Sequence, residues 1–369
     1  MNIVCTKANL LEGLLRVQKA VSGRTTLPIL EGILIQALDG QIKLIATDLE
    51  IGIETQVEGE IIQEGSVVLS SRIIVELVRK LPNGQVELKV GEDYRTRIHC
   101  ESSRFIIQGQ NALEFPELPE VDDEVQIQVS QDLLRDMIRQ TIFSVAVDET
   151  RPVLTGALME ASEGEIRLVA LDGYRLALRR GRTVNTQAHG IKEVIPGRIL
   201  NEIGKLLQGE GEEVGISRAN NQILFQWEGT RIISSLLEGE FINYIQIIPE
   251  EHKSRVRIST ELLLDSCERA ALLAREGKNN LIKMEILQEQ LVITSNAEIG
   301  QVHEEIPIQL EGEELKIAFN SKYFIEALRN IGDEEVILEF TTSVSPCVIK
   351  PVEGDNFVYL ILPVRLLEE

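Results

Sequence analysis

The stretch LVALDGYRLAL, residues 168–178, alternates like a half-buried strand and turns at Asp172-Gly173, leaving Tyr174 and Arg175 at the tip. Weaker versions lie on either side of it. Asp48 sits in LIATDLEIGI and Asn296 in VITSNAEIGQ, so Asp48, Asp172 and Asn296 follow one another in equal steps of 124 residues. An equal step found twice marks an internal repeat, and its length is an ordinary domain size.

Each repeat carries the same elements around that hairpin. An amphipathic helix comes first, over residues 8–21, 130–143 and 259–274, with apolar residues at three- and four-residue intervals such as Leu133, Leu134, Met137 and Ile138. Ser130 and Ser259 are suited to cap two of these helices. The hairpin follows, most plainly in ILIQALDGQIKLIA, where Asp39-Gly40 is a dipeptide favoured in tight turns. A second helix is expected over 71–81, 196–207 and 320–331, and further alternating strands close each repeat. Proline- and acid-rich ends near Val121 and Glu250 read as linkers. The expected architecture is α+β, with three modules over residues 1–121, 122–249 and 250–369. Each would lay two helices on the apolar face of an antiparallel sheet and leave the other face outward.

The chain has 369 residues, 43% hydrophobic and 26% charged, which is ordinary for a soluble protein with several cores. It holds no run of eighteen apolar residues and no basic-then-apolar start, so neither a membrane span nor a secretory signal is expected. Cys5, Cys100, Cys267 and Cys347 are far apart and read as buried, reduced thiols of a cytoplasmic protein. The net charge of −22 argues, by itself, against a nucleic-acid binder. Its distribution is uneven, however: the six helical segments sum to about +3 and the remainder to about −25. Helices facing one cavity could hold a polyanion through phosphate contacts, whereas solvated helix faces would give the same pattern. No helix is densely basic and only 4% of residues are aromatic, so base reading is not expected.

Enzyme signatures are missing from the sequence. His99, His189, His252 and His303 are scattered and form no zinc motif, and there is no nucleophile elbow or Walker A loop. GEGEEVG at 209–215 imitates a phosphate loop, but it follows a helix and carries glutamates that would repel phosphate. No catalytic residue, cofactor or metal is therefore assigned.

Several motifs in order resemble the β subunit of bacterial DNA polymerase III, the replicative sliding clamp. They are SGRTTLPIL (22–30), ATDLEI (46–51), SRFIIQGQNALEFPELP (103–119), RPVLTG (151–156), LDGYRLAL (171–178) and YLILPVRL (359–366), and they span the whole chain. The resemblance implies a head-to-tail homodimer whose clamp-fold modules form a ring, with helices lining a hole for duplex DNA. The ring would slide along DNA and tether the replicative polymerase, so the chain would be a processivity factor and not an enzyme. A repeat scaffold that binds proteins without encircling DNA is the other class considered.

Residue by residue, the resemblance implies a hydrophobic pocket for a short motif carried by polymerase, clamp loader and other replication or repair proteins. Its second-module wall would be Leu154, Leu171, Gly173, Tyr174, Arg175 and Leu176, with Ile242 and Ile247. The third module would add Val344, Pro346, Leu360, Leu362, Pro363, Val364, Arg365 and Leu366. The arginine stems would pack while their heads stay polar. Tyr174 stands where many members have histidine, Ile242 where proline is common and Pro346 where a small polar residue is usual. Arg24, Arg72, Arg79, Lys80, Arg151 and Arg198 are the implied DNA contacts. Leu272 and Leu273 of one protomer would meet Ile106 and Ile107 of the other.

Overall fold

The computed structural model describes every residue except 24–25, 122–123, 187–189, 210, 277–279 and 366–369, and gives backbone only for 185–186. Among the described residues there are six α-helices: α1 Lys7–Val17, α2 Ser71–Lys80, α3 Gln131–Arg139, α4 Gly197–Leu206, α5 Thr260–Ala274 and α6 Ser321–Leu328. The strands are antiparallel throughout the registers described below. The repeat is thus visible as three helix pairs, one pair in each third of the chain.

Helices α5 and α6 start at capping residues. Ser259 accepts the Leu262 N–H at 3.4 Å and Asn320 accepts the Lys322 N–H at 3.0 Å, each relieving one orphan donor of the helix that follows. Helix ends fall short of the apolar periodicity. α1 gives way to a 3-10 turn at Gln18–Ala20, and α3 stops at Arg139 with a 3-10 turn at Ile142–Ser144. The buried Thr141 hydroxyl donates to the Met137 carbonyl at 2.7 Å, a local bond that competes with continuing the helix.

Compactness groups the chain into two units, Met1–Gln131 with Gln208–Leu236, and Asp132–Leu207 with Leu237–Glu369. In the first unit, α1 and α2 pack together. Its larger sheet runs Gly65–Ser70, Gly32–Leu38, Gln41–Thr47, Ile51–Val57, Thr230–Ser235, Gln222–Trp227, Glu213–Ala219 and Ile127–Ser130. Its smaller sheet runs Glu60–Gln63, Asn2–Thr6, Gln85–Val90, Arg95–Cys100 and Ser103–Gln108, so Ser103–Gln108 is an edge.

The second unit repeats the plan. Its larger sheet runs Ile191–Pro196, Gly156–Ser162, Glu165–Leu171, Arg175–Arg182, Phe357–Ile361, Cys347–Pro351, Glu335–Phe340, Ser254–Ser259 and Gln309–Gly312. Its smaller sheet runs Gly300–Pro307, Gln290–Ala297, Leu281–Ile286 and Leu315–Asn320, with Gly300–Pro307 at one edge. α5 and α6 pack on each other over a core that includes Leu263, Cys267, Ile293, Phe319 and Phe324. All four cysteines are free and buried, and burial pushes the Cys5 thiol up to about 12.

The 124-residue step holds for two hairpin tips and fails at the third. Asp48 accepts the N–H groups of Glu50 and Ile51, and Asp172 those of Tyr174 and Arg175, so both carboxylates build their own turns. Asn296 instead lies within the strand Gln290–Ala297, paired with Gln301, and the turn falls at Glu298-Ile299. The third hairpin is therefore longer before its turn, and Asn296 is not a turn former.

Candidate functional site

The hairpin at 168–178 delivers its residues to two different places. Arg175 is only 8% exposed, while Tyr174 is 62% exposed. Tyr174 lies in the open turn, whereas Arg175 is the first residue of the strand Arg175–Arg182. Arg175 Nε donates to Asp172 Oδ2 at 3.0 Å, and its two amino groups reach the Glu326 carboxylate and the Phe143 carbonyl. Its guanidinium also lies 4.8 Å from the Tyr323 ring centroid and 5.5 Å from that of Phe143. Arg175 thus joins α6 to the turn that carries Tyr174. Tyr174 stacks on Tyr323, ring centroids 6.1 Å apart, and burial raises the Tyr323 phenol above its usual value.

On the sheet face beside this turn, one apolar cluster unites Leu154, Leu171, Leu176 and Leu360 with the half-buried Ile242. Register accounts for the assembly: Leu176 pairs with Leu360 across neighbouring strands, and Val348 pairs with Leu360 on the far side. Leu362 continues the line by donating its N–H to the Tyr174 carbonyl at 2.9 Å, and Val364 donates to the Ala318 carbonyl at 2.8 Å. Leu362, Ile247 and Val344 are exposed large apolar residues, and Arg365 is exposed nearby in sequence. Pro346, Pro363 and Val364 are half-buried, and Gly173 takes φ +89° at the open turn. Leu366 lies outside the described residues.

Sequence reasoning missed part of this surface. Tyr244, Val348, Val358 and Phe241 belong to the cluster or pack on it, and Tyr244 donates to Glu160 Oε2 at 2.6 Å. Burial first, and that carboxylate second, push the Tyr244 phenol up to about 12. Val358 lies two residues before Leu360 on one strand, so the strand period of two could have revealed it; Val348 and Tyr323 on α6 had no such signal.

The basic candidates are placed separately. Arg72, Arg79 and Lys80 are exposed on α2, with Arg79 paired to Glu76, and Arg198 is exposed in the first turn of α4. Arg151 is exposed ahead of the 3-10 turn Pro152–Thr155, and its carbonyl accepts the Leu154 N–H. Arg24 lies outside the described residues. Ile106 is 66% and Leu272 65% exposed, whereas Ile107 and Leu273 are half-buried. No helix among the described residues is long and apolar enough to cross a membrane.

Family models of the DNA polymerase III beta subunit match residues 1–119 (N-terminal domain), 128–243 (central domain) and 245–365 (C-terminal domain). The beta sliding clamp of Bacillus subtilis is 39% identical over 376 residues, covering 99% of this chain and 100% of the relative. That of Staphylococcus aureus is 39% identical over 361 residues, covering 94% of each. Among solved structures, the Bacillus subtilis sliding clamp superposes with a TM-score of 0.96 at 38% identity, covering 100% of both chains. The Thermotoga maritima beta subunit gives 0.92 at 30% identity, covering 99% of this chain and 100% of that one.

Proposed function

Because the chain belongs to the DNA polymerase III beta-subunit family of sliding clamps, we propose that it works as a non-catalytic, ring-shaped homodimer that encircles duplex DNA. The modules are assigned to residues 1–121, 122–249 and 250–369, and the ring acts in the cytoplasm. The observation that carries the reading is a pair of complementary strand edges. Ser103–Gln108 ends one sheet and exposes Phe105 and Ile106, with Arg104 on it and Arg95 and Arg97 on its neighbour. Gly300–Pro307 ends another sheet and carries Glu305 beside Glu304, which Arg269 of α5 holds, with Leu272 exposed on that helix. Unpaired edges invite strand pairing, and one basic and one acidic edge favour a head-to-tail contact that can close on itself.

In this reading Arg72, Arg79, Lys80, Arg151, Arg198 and Arg24 face the duplex. They are few on an acidic protein, which supports loose phosphate contacts that permit sliding and no base reading. The apolar surface from Leu154 to Arg365 takes the short motif of polymerase, clamp loader and repair partners, with aliphatic walls for burial and Tyr174 and Arg365 for orientation. Sedimentation equilibrium together with retention on DNA tests the ring. A dimer that stays on a nicked circle and leaves it after linearisation is expected; a stable monomer, or equal retention on linear DNA, points to the scaffold reading.

A further inference from the structure

We propose that the first unit carries a second peptide groove, and that its ligand is a short extended segment with one or two apolar anchors beside lysine or arginine. The groove encloses about 880 Å³ on the larger sheet of that unit. That lies within the ~300–1,000 Å³ of ordinary ligand sites. Its floor is Leu34, Leu38, Ile45 and Ile233, and its rim is the segment bearing Leu113, Phe115 and Leu118.

The repeat shows why an apolar trough occurs there. Leu34, Ile45 and Gly52 precede Leu158, Val169 and Leu176 by 124 residues. Gly52 pairs with Ile233 just as Leu176 pairs with Leu360, so the floor takes the same place in its sheet as the surface assigned above to partner motifs. The chemistry differs at one point. A Cβ on Gly52 would lie 2.5 Å from a Leu118 methyl, so the chain's own leucine fills the space that Leu176 takes in the other sheet. This half of the trough is closed from within. Leu34 and Ile45 are buried in one cluster with Phe115, whereas Leu38 is 44% exposed and Leu113 is 91% exposed, so these two leucines stay open.

Charge sets the ligand class. The lining contributes Glu54, Glu117 and Glu120 against Arg231. Glu54 already meets Lys43 at 3.0 Å, whereas Glu117 and Glu120 are exposed on the rim. Pro116 and Pro119 stiffen that rim, so little order must be acquired on binding. Two exposed leucines, Leu38 and Leu113, beside two exposed carboxylates select an apolar segment flanked by cations. The proposal goes beyond the partner surface of the second unit, which serves as its control.

The test uses full-length protein and two fluorescein-labelled hexapeptides, Arg-Leu-Phe-Lys-Leu-Lys and Glu-Leu-Phe-Glu-Leu-Glu, read by anisotropy at low salt. The basic peptide should bind about tenfold tighter than the acidic one. Leu38→Glu should weaken it about tenfold through loss of an apolar anchor. Glu117→Lys with Glu120→Lys should narrow or reverse the preference. All three positions are exposed, and an unchanged melting temperature certifies the fold of each variant. Leu362→Glu, in the other surface, should leave basic-peptide binding as it was. Absence of binding, equal affinity for the two peptides, or loss with Leu362→Glu but not Leu38→Glu would each overturn the proposal.

Discussion

A single buried arginine sits beneath the hairpin tip. Arg175 is buried between Asp172 and Glu326 and under the Tyr323 ring, so it presents Tyr174 by fixing what surrounds it. Arg175→Ala would leave two carboxylates facing a hole, and breaking a buried pair by removing one partner costs about 3 kcal/mol. A fall of that order in denaturant-derived stability is expected, with Arg175→Lys intermediate because the ammonium lacks the planar fork. A loss below about 0.5 kcal/mol would mean the cage is incidental. Leu49 offers the opposite case. It takes φ 77° where the second repeat has Gly173, a left-handed conformation that costs a branched side chain about 1–2 kcal/mol. Asparagine tolerates that region, so Leu49→Asn should raise the melting temperature, and a lower one would refute the strain.

At the scale of elements, the edge strand Gly300–Pro307 is clamped to α5 by a forked ion pair. Arg269 Nε meets Glu304 Oε1 at 2.9 Å and Nη2 meets Oε2 at 2.7 Å, with Ser266 as a third partner. The Arg269 hydrogen bond, above all, holds the Glu304 carboxyl below its ordinary value. A depressed carboxylate stabilises the fold above its unfolded pKa and loses that contribution as pH falls through the folded one. Wild type should therefore lose more stability than Glu304→Gln between about pH 5 and pH 3, the difference staying under about 1 kcal/mol for so exposed a pair. Parallel calorimetric acid limbs would sink the assignment. Elements were largely legible in the sequence, because periodicity and caps such as Ser259 act locally. Helix ends were not, since Thr141 turns its hydroxyl onto its own backbone. Nor was the burial of Arg175, whose partners Phe143 and Glu326 are 32 and 151 residues away. The third hairpin misled for a related reason: an equal step in sequence does not fix where a strand turns, and Asn296 stays in the ladder.

For the whole molecule, the residues proposed for assembly and those proposed for partner binding differ, so the two functions should be separable. The surface from Leu154 to Leu360 is built on one sheet with the 3-10 turns Pro152–Thr155 and Tyr244–Ile247 packed on it, and the strand Phe357–Ile361 is paired on both sides. Deleting residues 362–366 removes the Leu362 N–H bond to Tyr174 and the Val364 bond to Ala318, yet spares that strand. Binding of a polymerase-derived motif should vanish while the sedimenting species stays a dimer. Leu272→Asp should do the reverse. Leu272 is exposed in the single chain, so a carboxylate there is harmless to folding, but burying it unpaired in an apolar contact costs several kcal/mol and should release monomers. Those monomers should still bind the motif, with affinity unchanged within about twofold, since no residue of the apolar cluster is touched. A Leu272→Asp dimer would move the subunit contact elsewhere. Motif binding lost together with the dimer would show that the surface needs the second copy, and the two functions would then be one.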